Sequence, residues 1–421
     1  MANERAGDKK TTKKKHPKTA SKDVEDVQTL SMEEKYNLIA ELSESVLEDP
    51  NSSFFSEKDE ETNGPKIPSK VKKILDLADT TKRITDEGDE QIARLAIVSL
   101  LAIFQDVLPS YRIRLPTSEE TSVRVSKEIR TLWQYERALL THYQWFLKIL
   151  ERTWEKRNSS QKDQPPTPLA ITSIITLCEL LKAHPNFNFR SNILSIVARQ
   201  TNNRKCEQIV TACCDAITYL FTNDRQGEVT LEATKLLTKM VHSRKFQVRP
   251  ELIRTFLSLP LRVHQDEAEA AKIAQKAQAK KRKRHGESTA TLDAEIENEM
   301  REQSGGIDKI ALARNQSDTL QSVILTYFRI LKADPKENRH VIILLPESLR
   351  GLAKFSHLIH FETVLDLLKV LRKLLESVEA LPLDAALNAV LTAFQTLQGP
   401  GRELQIDQKE YITPLYTQIT R

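Results

Sequence analysis

The chain has 421 residues, of which 39% are hydrophobic, 29% are charged and only 10 are glycine. Glycine at roughly a third of its usual frequency disfavours turn-rich β-sheets and phosphate-binding glycine loops, because both need residues with positive φ. No apolar run approaches the ~20 residues of a membrane span, and the lysine-rich N-terminus is not followed by the apolar stretch of a secretion signal. We therefore expect a soluble, mainly helical protein that is not secreted.

Positive charge is concentrated in two tracts. Residues 1–22 hold eight cations and two acids, and residues 270–286 hold seven cations and no acid, so the remainder of the chain has a net charge of −8. For residues 1–22 a solvated tail and a polyanion contact both stay open. Five consecutive cations favour a nuclear localisation signal or an RNA-phosphate contact in the second tract, because adjacent like charges destabilise a helix that has no partner. The candidate basic contacts are Lys13, Lys14, Lys15, Lys280, Lys281, Arg282, Lys283 and Arg284.

The first ordered segment is predicted to begin at Ser31. Residues 1–30 are predicted to be a disordered basic tail, because large apolar side chains are nearly absent from them. Ser31 and Glu34 have the spacing of a capping box, and the helix that follows is predicted to end near Asp49-Pro50. Residues 31–88 are completed by an acidic linker over 52–68 and by a short helix whose apolar positions are Val71, Ile74, Leu75 and Ala78.

Residues 89–262 form a series of apolar helical segments separated by proline. The first segment stops at Pro109 and the second, Val123–Arg157, is long. Proline at the ends of such segments is typical of helix termini, where a missing N–H does least damage. The remaining predicted helices of this part cover 169–183, 190–200, 204–222, 227–242 and 249–258.

A charged insertion, residues 263–306, divides these helices from a second helical part, residues 307–421. The insertion has good helix formers without an apolar stripe, so it is predicted to be a solvated helical arm or a disordered segment. The second part is predicted to be C-terminally incomplete, because an amphipathic segment begins at Tyr411 close to the last residue. Its other predicted helices cover 307–331, 341–345, 349–361, 363–375 and 385–397.

The fold class follows from this order of elements. No stretch alternates with period two, and helices joined by short connections favour antiparallel pairs stacked side by side. No fixed repeat length is present. We therefore predict an all-α protein, an irregular HEAT- or armadillo-like α-solenoid.

No enzyme motif is present in the sequence. The phosphate-loop, dinucleotide, nucleophile-elbow and zinc-protease patterns are all missing. His357 and His360 lack a third nearby ligand, and the four cysteines contain no C-x-x-C pair, so structural roles and reduced thiols in an intracellular compartment are favoured. The acidic run 86–90 is typical of a helix N-terminus. We expect no catalytic, cofactor-binding or metal site and no small-molecule substrate.

All three tryptophans lie in the predicted long helix. Trp145 projects from the side opposite to an apolar stripe that is predicted to be core. A second buried face, a partner-protein hot spot and RNA base stacking all explain Trp145, and we take it as the candidate partner contact. The predicted core stripe comprises Ile129, Leu132, Trp133, Leu140, Tyr143, Leu147, Leu150 and Trp154.

Several blocks of this sequence resemble one known family in consecutive order. The resemblance is carried by DEQIARLAIVSLLAIFQDVLPSYRIR (Asp89–Arg114), VSKEIRTLWQYERALLTHYQWFLKIL (Val125–Leu150), CELLKAHPNFNFRSNIL (Cys178–Leu194) and LLPESLRGLAKFSHLIHFETVLDLLKVLRKLL (Leu344–Leu375). These blocks are similar to the nucleolar complex protein 3 family, and the C-terminal part resembles the domain this family shares with the CCAAT-binding-factor/Mak-type assembly proteins.

This resemblance implies a non-enzymatic assembly factor. Members of this family pair with nucleolar complex protein 2 and bind precursors of the large (60S) ribosomal subunit as these mature and move from nucleolus to nucleoplasm. The expected partners are therefore that protein, pre-60S particles with their precursor ribosomal RNA, and a nuclear import receptor. The alternative is a chromatin-binding replication licensing factor, a role also ascribed to the family. An importin-like transport receptor would share the fold but would not need its own localisation signal.

Overall fold

A computed structural model describes residues 30–55, 68–79, 87–117, 125–159, 165–262, 309–333, 338–376, 381–399, 401, 404 and 406–419. All regular structure in these ranges is helical, which confirms the all-α prediction. None of their helices has an apolar stretch long enough to cross a lipid bilayer. The chain divides into two compact units, one of residues up to Val107 with Leu115–Ile149, the other of Leu108–Arg114 with the residues from Leu150.

Within the described residues, the first unit contains four helices and most of a fifth. The predicted capping box is confirmed: the Ser31 N–H donates to the Glu34 carboxylate at 2.7 Å, and the Glu34 N–H donates to the Ser31 hydroxyl at 3.3 Å. The predicted short helix is also confirmed, with its four apolar positions buried. The helices are α1 (Met32–Glu48), α2 (Pro50–Ser53), α3 (Lys70–Ala78), α4 (Glu87–Val107) and α5 (Lys127–Ser159), whose residues to Ile149 belong to this unit.

An aromatic side chain that was assigned to the linker lies in the core of this unit. Phe54 is only 2% exposed, and its ring centroid lies 5.8 Å from that of Tyr135 and 6.4 Å from that of Phe104. The prediction of a linker from residue 52 is therefore wrong at its start. The cause is α2, which the Asp49 side chain caps and Pro50 begins, so the chain turns back before it leaves the core.

The described helices of the second unit form two layers. Each helix packs beside the helix two positions away in the chain, so alternate helices lie in the same layer. One layer consists of α6 (Pro168–Ala183), α8 (Glu207–Asn223), α10 (Pro250–Thr255), α12 (His340–Phe355) and α14 (Leu383–Gln398). The other consists of α7 (Arg190–Gln200), α9 (Glu228–Ser243), α11 (Lys309–Lys332), α13 (Phe361–Glu376) and α15 (Lys409–Ile419).

The region around Pro346 differs from the prediction. Two helices were expected there, over 341–345 and 349–361, whereas α12 runs through Pro346 to Phe355 and is followed by a 3-10 turn, Ser356–Leu358. A proline inside a helix costs one backbone hydrogen bond. Burial of the side chains on both sides of Pro346 offsets this cost, among them Leu344, Leu345, Leu349 and Leu352.

Candidate functional site

The predicted basic contacts lie outside the described residues. This holds for Lys13, Lys14 and Lys15 in the tail and for Lys280, Lys281, Arg282, Lys283 and Arg284 in the insertion. Trp145 lies on α5 in the first unit and is half-buried. Its neighbour Phe146 is fully buried, with its ring stacked on Phe104 at a centroid distance of 5.3 Å. Part of the Trp145 indole therefore stays accessible at the surface of the core.

The predicted core stripe of α5 is only partly buried. Leu140, Tyr143, Leu147, Leu150 and Trp154 are buried, as predicted. Ile129 and Leu132 are instead 43% and 53% exposed, and Trp133 is half-buried. The prediction is therefore wrong for the first two turns of α5. The helical spacing of apolar residues continues there, but no other described residues cover these side chains. An apolar stripe gives the direction of a side chain, and packing decides whether anything covers it.

Three of the four thiols of the second unit, those of Cys178, Cys213 and Cys214, are core groups. Cys178 and Cys213 are buried with their sulfur atoms 3.7 Å apart, and the hydrogen bond between the two thiols together with burial raises the pKa of the Cys213 thiol. Burial also raises the pKa of Cys214 to about 12. A nucleophilic or metal-binding cysteine needs a thiolate, so these protonated thiols suit packing. Among the described residues, no group of three His, Cys, Asp or Glu side chains is placed to hold a metal ion.

Three turns of the second unit meet along one edge. They are the α7–α8 turn, the α9–α10 turn and the residues before α12. The Asn202 side-chain amide donates to the Gln247 carbonyl at 3.0 Å and accepts from the Arg249 N–H at 3.1 Å. The Asn338 amide donates to the Lys245 carbonyl at 2.7 Å. Asparagine side chains thus fix each turn to the next one.

The local backbone of these turns presents basic side chains to solvent. The Asn203 carboxamide oxygen accepts the N–H groups of Lys205 at 2.8 Å and Cys206 at 3.2 Å, which closes the turn around Arg204. Lys245 and Phe246 have φ of 49° and 65°, a left-handed conformation that costs on the order of 1 to 3 kcal/mol per residue without glycine. The strained pair leaves Arg244 and Lys245 exposed.

The charge of this edge is one-sided. None of the described turn residues 201–206, 244–249 and 338–340 is acidic. Among the described residues, Arg204, Arg244 and Arg339 form no ion pair, in contrast to Arg190 and Arg254, which bind Glu232 at 3.1 Å and Glu347 at 2.7 Å. We call the following six side chains, all exposed, the basic edge: Arg199, Arg204, Lys205, Arg244, Lys245 and Arg339.

A cleft of about 320 Å³ opens beside the basic edge, within the second unit. Four of its lining side chains are members of that edge: Arg199, Arg204, Lys205 and Arg244. The wall contributed by α5 carries Glu151 and Glu155, and its floor includes Trp154, which is 6% exposed. Cations therefore outnumber carboxylates by two to one, and they line the side formed by the turns.

Sequence reasoning missed the basic edge because its members are far apart in the chain. Arg204, Arg244 and Arg339 stand in separate turns, and each turn alone contains too few cations to form a conspicuous run. The signal that could have found them is their common position, since each follows a helix of the same layer. Recognising that requires the helix pairing, which has no fixed repeat length in this sequence.

Comparison with known proteins identifies the family. A model of the family described as nucleolar complex-associated protein matches residues 34–146. The nucleolar complex protein 3 homologs of Mus musculus and Cricetulus griseus are 33% and 32% identical over 432 and 404 residues, which cover 95% and 93% of this chain. The nucleolar complex-associated protein 3 of Arabidopsis thaliana is 28% identical over 438 residues, which cover 92% of this chain.

The match covers nearly all of this chain but only part of each relative. It covers 52% of the Mus musculus protein, 48% of that of Cricetulus griseus and 48% of that of Arabidopsis thaliana, so the chain spans about half the length of the curated relatives it matches. The similarity covers more than nine tenths of this chain and therefore includes residues of both compact units. By this similarity the chain belongs to the nucleolar complex protein 3 family.

Proposed function

We propose that this chain is a non-enzymatic scaffold of the nucleolus that acts in assembly of the large (60S) ribosomal subunit. In this proposal it holds pre-60S particles together with nucleolar complex protein 2 and accompanies them from nucleolus to nucleoplasm. The observation that carries the proposal is its similarity to nucleolar complex proteins along more than nine tenths of the chain. No catalytic step, cofactor or metal ion is part of it.

The arrangement of the helices supports a scaffolding role. In the second unit alternate helices pack in two layers, and this is the packing expected of an irregular HEAT- or armadillo-like α-solenoid. Such arrays present long rows of helix faces and turns, which suit binding of large partners better than they suit enclosing a small substrate. We propose the solenoid assignment on this basis.

Two contacts are proposed from the sequence. The tract Lys280–Arg284, with Lys13, Lys14 and Lys15, is proposed to bind a nuclear import receptor or RNA phosphates. Trp145 is proposed to contact a partner protein, because a tryptophan that is half-buried in its own fold still has apolar surface to give to an interface. Nucleolar complex protein 2 is the partner proposed for it.

Copurification from cells tests the proposal. The tagged chain is expressed in cells that have been depleted of their endogenous homologue. The RNA that copurifies with it is sequenced, and the copurifying proteins are identified by mass spectrometry. We expect enrichment of large-subunit precursor ribosomal RNA and of nucleolar complex protein 2. Enrichment of helicase loaders and origin chromatin without precursor ribosomal RNA would instead establish the replication licensing alternative and overturn the proposal.

Variants of the two contacts make this test specific. Changing Lys280–Arg284 to glutamine is expected to reduce nuclear accumulation or RNA recovery. If both stay unchanged, the tract has no role in these contacts. Trp145→Ala is expected to reduce recovery of nucleolar complex protein 2, with Tyr111→Ala, an exposed aromatic of the second unit, as the control. Thermal unfolding of both purified variants separates a lost contact from a lost fold.

A further inference from the structure

We propose that the basic edge binds the phosphate backbone of RNA. The inference rests on the proposed function, which places the chain on precursor ribosomal RNA, and it assigns the RNA contact to six side chains of the second unit. These side chains are distinct from the tract Lys280–Arg284, to which the sequence pattern alone assigns such a contact.

Charge is the first support. Five exposed cations lie in three turns whose described residues include no acid, and the sixth, Arg199, lies in the last turn of α7 beside them. A local concentration of cations without acids between them gives a field that attracts polyanions to that edge. Guanidinium groups dominate the edge, and their planar donors match phosphate oxygens in bidentate hydrogen bonds.

Preorganisation is the second support. Asn202 and Asn338 link each turn to the next, Asn203 closes the turn that carries Arg204, and two consecutive left-handed residues shape the turn after Arg244. Neighbouring helices in a layer lie ~8 to 10 Å apart, so the cations form a row with fixed spacing. A row that is already ordered loses little conformational entropy when a chain of phosphates binds to it.

The apolar surface expected of a protein partner is missing from this edge. Protein interfaces have an apolar core. The two large apolar groups that line the cleft, Trp154 and Ile196, are 6% and 7% exposed and belong to the interior of the unit. Among the described residues of the three turns, no large hydrophobic side chain is exposed. Binding through phosphates requires none, and it predicts affinity that does not depend on base sequence.

The test measures RNA affinity as a function of salt with the purified full chain. The edge variant combines Arg204→Gln, Lys205→Gln and Arg244→Gln. The control variant removes the same charge from exposed positions elsewhere in the unit, by Arg225→Gln, Lys235→Gln and Arg262→Gln. Both are made with and without glutamine at Lys280–Arg284, so that this tract cannot mask the edge.

The expected result has a defined size. For single-stranded RNA each lost phosphate contact lowers the slope of log K against log salt by ~0.7, so the edge variant loses ~2 from the slope and binds on the order of 100-fold more weakly at 0.1 M salt. The control variant keeps most of its slope. RNAs of different sequence and equal length respond alike.

Several results would overturn the inference. Equal loss in the edge and control variants would mean that only net charge matters. Tighter edge-dependent binding of duplex DNA, or of an acidic phosphopeptide, would assign the edge to another partner. If the edge variant binds RNA normally while the chain still copurifies with large-subunit precursors, this inference fails and the proposed function stands. If the edge binds RNA but no such precursor copurifies, the proposed function fails instead.

Discussion

Replacement of Gly351 by alanine should destabilise the second unit, against the usual effect of this change in a helix. Gly351 lies in α12, where Ala is favoured over Gly by ~1 kcal/mol. A Cβ atom at this position would lie 2.2 Å from the Tyr327 hydroxyl oxygen and 2.4 and 2.6 Å from two ring carbons of the same residue. Helices α11 and α12 therefore approach each other so closely that the tyrosine ring rests on the glycine backbone.

The magnitude depends on whether Tyr327 can move. Its side chain is fully buried, its ring is edge-on to Phe256 at a centroid distance of 6.2 Å, and its hydroxyl has no hydrogen-bond partner among the described residues. Overpacking of a rigid core costs about 1 to 3 kcal/mol, and three contacts below 3 Å place this site at the upper end. After the gain in helix propensity, we expect a net loss of ~2 kcal/mol.

Thermal unfolding measures this loss. For a domain of this size ~2 kcal/mol corresponds to a decrease in Tm of roughly 4 to 8 °C. Tyr327→Leu removes the clashing ring atoms, so Gly351→Ala should cost less in that background, and the difference is the coupling energy. Gly88→Ala is a control in the first unit, because its new Cβ would meet only the flexible end of Met32. A Gly351→Ala protein at least as stable as the parent would refute the close approach.

Two further predictions concern the Asn202 hydrogen bonds and the buried His142 ring. Asn202→Leu removes both hydrogen bonds between the first two turns of the basic edge and should lower the free energy of unfolding, measured by urea titration, by about 1 to 3 kcal/mol. Asn388→Ala is the control, because the Asn388 amide forms hydrogen bonds only within its own helix, and it should change the free energy of unfolding by less than about 0.5 kcal/mol. Equal losses would argue against the bridging role. Burial lowers the pKa of His142 below 6.5, so the folded first unit favours the neutral ring and its stability should fall as the pH drops from 7 through the folded-state pKa. Urea titrations at several pH values should show a shallower decline for His142→Gln, and an unchanged pH dependence would contradict the assignment.

The sequence predicts the helices better than it predicts what covers them. Proline positions and apolar periodicity place most helix ends within a few residues, because both are local properties of the chain. Phe54 was missed because it stands in a polar stretch, where only the α2 turn returns it to the core. Ile129 and Leu132 were assigned to the core because their spacing continues a buried stripe, although burial depends on neighbours distant in the chain. Pro346 predicts a break between two helices from the local pattern alone, because that pattern does not show the tertiary packing that keeps α12 continuous.

The site follows the same division between local and distant information. A compact run such as Lys280–Arg284 is visible in the sequence, and the family resemblance is carried by contiguous blocks of residues. The basic edge is assembled from Arg204, Arg244 and Arg339, which only the pairing of alternate helices brings to one side of the unit. These residues are far apart in the sequence of an irregular array, so their cluster can be recognised only in the structure.

Crosslinking in living cells tests the central claim most directly. The chain is crosslinked to its RNA by ultraviolet light, the bound RNA is sequenced, and the crosslinked peptides are mapped. We predict large-subunit precursor ribosomal RNA, attached to peptides that contain residues 199–205 or 244–245. Recovery of no RNA above the level of an uncrosslinked sample, or attachment of the chain to origin chromatin alone, would contradict the account of this chain as a scaffold for ribosomal precursors.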